Sequence, residues 1–207
     1  RLFRKARQIF DHPELSWMSR GRRTARTRML LEQVFWGGAW LSKFEPEDYP
    51  RIRDRMVDIF LNGVATAGAA WSPTAFPMEK LAARDGPERA RETFLLAATR
   101  LINLRGYRGA SVDKISAELN VTKGSFYHHN DAKDDLVVAC FERTFEVMRR
   151  AQRLSIEMPG SQWDKLAACA SSLAEFQLSD HGPLLRTTAL TALPEQIRQV
   201  MVEQSNR

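Results

Sequence analysis

Residues 111–130, SVDKISAELNVTKGSFYHHN, read as two short helices joined by a tight turn. Ser111 can cap the first helix, and Asp113 in its first turn complements the helix dipole. Val112, Ile115 and Leu119 recur at the helical period and give that helix one buried face. Asn120 sits at the turn, where a left-handed backbone is needed and Asn tolerates it better than most residues. Thr122 then caps a second helix running from about Lys123 to His129. Lys123, Gly124, Ser125, Tyr127 and His128 take its outward positions, while Val121 and Phe126 point inward. One helix that braces, followed by one that presents small and hydrogen-bonding groups from its N-terminal end, is how a helix-turn-helix enters the major groove.

The stretch VTKGSFYHHNDAKDDL (121–136) resembles the TetR family signature, in which a short recognition helix ends in an aromatic–histidine pair and Lys and acids open the next helix. The resemblance extends back through RGYRGASVDKIS (105–116) to a helix beginning near Glu88. It departs at Asn130, where the family usually has Phe packing the recognition helix onto its successor. What it implies is an all-α fold, with a three-helix helix-turn-helix unit over about 88–135, a helical regulatory bundle after it and an additional helical segment before it. It also implies tasks for single residues. The backbone N–H groups and hydroxyls of Ser111 and Thr122 would hold phosphates at helix N-termini, and Lys133 would bind another. Gly124 would let the helix lie close to the groove floor. Lys123, Ser125, Tyr127 and His128 would meet base edges and flanking phosphates. The implied protein is a ligand-responsive repressor that binds a double-stranded DNA operator as a homodimer. The alternative is a helical sensor or protein-interaction module whose helix-turn-helix no longer binds DNA.

The net charge of +6 suits a polyanion partner, but it does not sit in the motif. Residues 1–60 hold 13 basic and 8 acidic residues, a net of +5, whereas residues 88–136 hold 8 and 7. Phosphate contacts in the motif must therefore come from a few placed groups rather than from a diffuse patch. There is no run of about twenty apolar residues, so nothing is expected to span a membrane. The two cysteines, Cys140 and Cys169, fall on apolar helix faces and read as small buried hydrophobes in a reducing cytoplasm. The chain begins at Arg1, apparently partway into a helix, which suggests an excerpt from a longer polypeptide.

Outward from the motif the pattern stays helical. A first helix stops near Asp11-His12-Pro13, and the basic run SRGRRTARTR (19–28) reads as a solvated loop and first helical turn, with a nucleic-acid contact as the alternative. A helix from about Ala25 to Leu41 contains Gly37-Gly38, where a kink, a close approach or a ligand wall is expected. Another runs from Asp48 as cap to Asn62-Gly63. WSPTAFPMEKLAARDGP (71–87) has three prolines and reads as a linker with one short helical turn. After the motif a long helix reaches about Leu154. Pro159-Gly160 ends that region, Ser161 and Asp164 start a further helix, and two short helices follow His181-Gly182-Pro183. The expected division is 1–70, resembling the last regulatory helices of a preceding TetR copy, with an N-terminal helical extension of a single regulator as the alternative; 71–87, linker; 88–136, DNA-binding unit; and 137–207, an incomplete regulatory domain.

Trp36, Trp40, Met148, Trp163 and Phe176 are candidates to line a pocket for a small apolar effector, although an aromatic at helical spacing is more often plain core. His128 and His129 point about 100° apart on a helix and cannot share a metal, and no Cys or acid lies at zinc-ligand spacing. No phosphate loop, nucleophile elbow or HExxH motif is present, so neither a cofactor nor enzymatic activity is expected.

Overall fold

The computed structural model describes residues 2–82, 87–110, 112–119 and 133–205. Among the described residues every regular element is an α-helix or a 3-10 turn, the all-α fold expected from the sequence. No helix among them is long and apolar enough to cross a membrane. The chain divides into two compact units, Arg1–Ala67 and Gly68–Arg207.

The first unit comprises α1 (Leu2–Gln8), α2 (Arg20–Trp40) and α3 (Tyr49–Asn62). Helix α2 begins five residues earlier than its apolar pattern suggests. The Ser19 hydroxyl accepts the Arg22 N–H at 3.3 Å and caps it, so from Arg20 onward the basic run is helix, where a loop leading into a first turn was expected. The helix continues unbroken through Gly37 and Gly38, and Gly37 is buried. Helix α3 buries Ile52 and ends at Gly63, whose φ of 81° needs a residue without Cβ strain. Asp48 precedes α3 as expected but does not cap it; its carboxylate accepts from Arg51 at 3.0 Å. The Arg28 guanidinium lies 5.5 Å over the Phe3 ring and ties α2 to α1.

The second unit comprises α4 (Met78–Leu81), α5 (Pro87–Gly109), α6 (Val112–Leu119), α7 (Lys133–Glu157), α8 (Gln162–Leu178) and α9 (Glu195–Ser205). Helix α7 is its spine, packing on α4, α5, α8 and α9. Its inner face buries Leu136, Val137, Cys140, Phe141, Val147 and Ala151. Residues 71–82, rich in proline, are laid onto this core. Leu81 is fully buried among Val147, Ala151 and Phe176, the Phe76 N–H donates to Ser172 Oγ at 2.8 Å, and Arg150 donates to the carbonyls of Leu81 and Ala82. Helix α8 opens on a complete capping box between Ser161 and Asp164. Cys140 is buried and Cys169 half-buried, and both are free thiols.

Candidate nucleic-acid interface

The frame of the motif is α5, α6 and the start of α7. Helix α5 breaks at Gly106, whose φ is 73°, and the Ala110 N–H returns to the Gly106 carbonyl at 3.2 Å. That turn redirects the chain into α6, which packs on α5. Asp113 and Lys114 are exposed on α6, with Lys114 Nζ donating to the Gly109 carbonyl at 3.0 Å. Ser116 faces inward, 4% exposed, and its hydroxyl has no hydrogen-bond partner among the described residues.

The start of α7 is fastened to the same turn. The Tyr107 hydroxyl donates to the Asp134 carboxylate. This hydrogen bond, helped by partial burial and by the Asp134 charge, pushes the Tyr107 phenol up to about 12. The bond joins the end of α5 to the first turn of α7, on either side of the recognition segment. Sequence reading did not single out Tyr107. Its position directly after the turn-forming Gly106 was the available signal.

Ser111, Thr122, Lys123, Gly124, Ser125, Tyr127 and His128, together with Asn120, Asn130 and Asp131, lie outside the described residues. Lys133 is the first residue of α7, but its side chain also lies outside, as do those of Val112, Ile115 and Leu119.

The candidate effector residues divide between the two units. In the first, Trp36 and Trp40 line a cavity of about 510 Å³ together with Phe44, Ile52, Met56 and Ile59, and Arg51 and Arg55 also border it. Trp40 meets Phe44 edge-on, with ring centres 6.1 Å apart. In the second, Phe176 is fully buried beneath the Arg143 guanidinium. Trp163 meets Trp71 edge-on at 5.8 Å and donates its indole N–H to the Ala70 carbonyl at 2.8 Å. Met148 is partly exposed on α7. The second unit also has an open cleft of about 630 Å³, bordered by Arg91, Glu92, Glu142, Glu146, Arg149 and Arg150; none of Met148, Trp163 and Phe176 lines it. Burial alone would raise the Glu146 carboxyl, but hydrogen bonds and charge from Arg153 and Arg150 hold it below its ordinary range.

Residues 94–140, from within α5 through α6 to Cys140 in α7, match the family described as bacterial regulatory proteins, tetR family. This stretch resembles the tetR family. The chain is also similar to part of the transposon Tn10 TetC protein of Escherichia coli, 46% identical over 39 residues, or 19% of this chain and 20% of that one. A match to the HTH-type transcriptional regulator LmrA of Bacillus subtilis (strain 168) is 37% identical over 62 residues, 30% of this chain and 33% of that one. The matched stretches thus span a fifth and a third of those relatives. No solved structure matches the chain.

Proposed function

We propose that this chain is a TetR-type transcriptional regulator, a repressor that binds a double-stranded operator as a homodimer and is released by a small effector. The observation that carries the reading is the tetR-family match over residues 94–140, framed by α5, α6 and α7. The Tyr107–Asp134 hydrogen bond supports it, because an anchored α7 start gives the recognition segment two fixed ends. In this reading Ser111, Thr122 and Lys133 hold phosphates, and Lys123, Ser125, Tyr127 and His128 face the groove. The aromatic cavity at Trp36 and Trp40 is the candidate effector site, with residues 1–70 acting as regulatory helices from a preceding TetR-like copy. An effector works by biasing the spacing of the two recognition helices in the dimer.

The test is binding of the full chain to duplexes from its own upstream region and to random duplexes, each over a salt series. A regulator prefers an upstream sequence by about a thousandfold or more. Equal affinity for all sequences, or no binding at low salt, refutes it.

A further inference from the structure

The positive charge of this chain is concentrated at one end. Residues 1–31 hold nine Lys and Arg against two acids, a net of +7, so the rest of the chain nets −1. Of the two acids in this stretch, Asp11 is engaged by arginines, and Glu14 is an exposed carboxylate beside His12. Asp11 accepts from Arg23 Nη1 at 3.1 Å and lies 3.8 Å from Arg7, and Glu14 lies 3.7 Å from His12. Arg4, Lys5, Arg20, Arg22 and Arg26 are exposed, and none has a side-chain partner among the described residues.

Read as sequence, the run 19–28 is a solvated loop and first helical turn, with a nucleic-acid contact as the alternative. The structure makes residues 20–28 the first turns of α2. Arg22 and Arg26 then stand one turn apart on its solvent side, about 6 Å along the axis. The phosphates of one DNA strand recur every ~3.4 Å of duplex axis, so both can meet the same strand. The Arg28–Phe3 contact holds α1 against this part of α2, carrying Arg4 and Lys5 with it. Eight of the nine cations are arginines, the side chain whose planar fork matches phosphate oxygens two at a time.

We propose that α1 and the N-terminal half of α2 form a second, sequence-independent DNA contact, gripping the phosphate backbone through Arg4, Lys5, Arg20, Arg22 and Arg26. Duplex DNA is favoured over an anionic membrane, despite the exposed Leu2, Ile9 and Trp17 nearby. Four of the five cations are guanidinium groups, and the same chain carries a stretch that matches the tetR family of regulatory proteins. Residues 88–136 hold nearly balanced charge and so supply little of the electrostatic attraction that non-specific binding needs.

The experiment measures affinity of the full chain for a random duplex across a salt series, for the parent and for Arg20→Ala/Arg22→Ala/Arg26→Ala. Losing three phosphate contacts should make the slope of log affinity against log salt shallower by about 2 to 3. Lys at the same three positions should restore most of the slope, and helical content should be unchanged throughout. An unchanged slope overturns the proposal, and does so in favour of a membrane if the triple variant also loses binding to phosphatidylserine vesicles. A steep, Arg-dependent slope without preference for any upstream sequence would refute the regulator reading alone.

Discussion

At Gly37 a Cβ would meet Leu41 Cδ1 and Met56 Cε at 3.9 Å, ordinary van der Waals contact in the interior of α2. Gly37→Ala should therefore stabilise the first unit by up to about 1 kcal/mol, the helix-propensity difference between the two residues, read as a rise in melting temperature. A fall would mean that α2 bends there. At Gly182 the same atom would press into the carbonyls of Phe176 and Gln177. Gly182→Ala should cost about 1–3 kcal/mol through overpacking, and a neutral result would show that the loop shifts freely. Tyr107→Phe keeps the ring and removes only the hydroxyl that donates to Asp134, at a cost of about 1 kcal/mol. Folding holds this phenol neutral, above its ordinary value of 10.0. Its contribution is complete below pH 10 and is lost as the pH climbs towards about 12. The stability gap between parent and Tyr107→Phe should shrink over that window; a constant gap would deny the bond.

Among the elements, α7 is braced to α5 and to the 179–186 loop by one side chain. Arg143 is 3% exposed and pairs with Glu92 at 2.7 Å, while its guanidinium also donates to the carbonyls of His181 at 2.6 Å and Pro183 at 3.0 Å. Arg143→Met should cost about 3 kcal/mol in chemical denaturation, since it leaves a carboxylate and two carbonyls without their donor. A loss below about 1 kcal/mol would mean that water replaces the guanidinium easily. The elements also show what the sequence made legible. The capping pair Ser161 and Asp164, the stop at Gly63 and the helix Val112–Leu119 were readable because each is settled within a few residues. The start of α2 was not, because a first turn with Arg20, Arg22 and Arg23 opposes the helix dipole, and only the Ser19 cap marks it. The path of residues 71–82 was hidden too. Three prolines predict a connecting stretch, yet Leu81 and Phe76 are held by partners on α7 and α8, about 70 to 100 residues further along.

At the scale of the whole molecule the helix-turn-helix resemblance was legible because its spacing is local, and the match over residues 94–140 bears it out. The residues assigned to the DNA lie outside the described structure, so their roles rest on spacing and family resemblance. The candidate effector residues show the limit of periodicity. Trp40 borders a cavity while Phe176 is sealed in core, and helical spacing alone cannot separate an aromatic that lines a space from one that fills it. The charge is unevenly placed as well, with the excess in residues 1–31 and near balance in residues 88–136, so the proposals assign holding DNA and reading it to different stretches. The account predicts that these two tasks come apart in mutants. The most direct measurement is the ratio of affinities for an upstream duplex and a random one, in the parent and in Tyr127→Ala. The account predicts that the variant loses at least ten times in that ratio, about 1.4 kcal/mol and within the range for a lost base contact, with its melting temperature unchanged. An unchanged ratio, or a collapse of the fold, would contradict it.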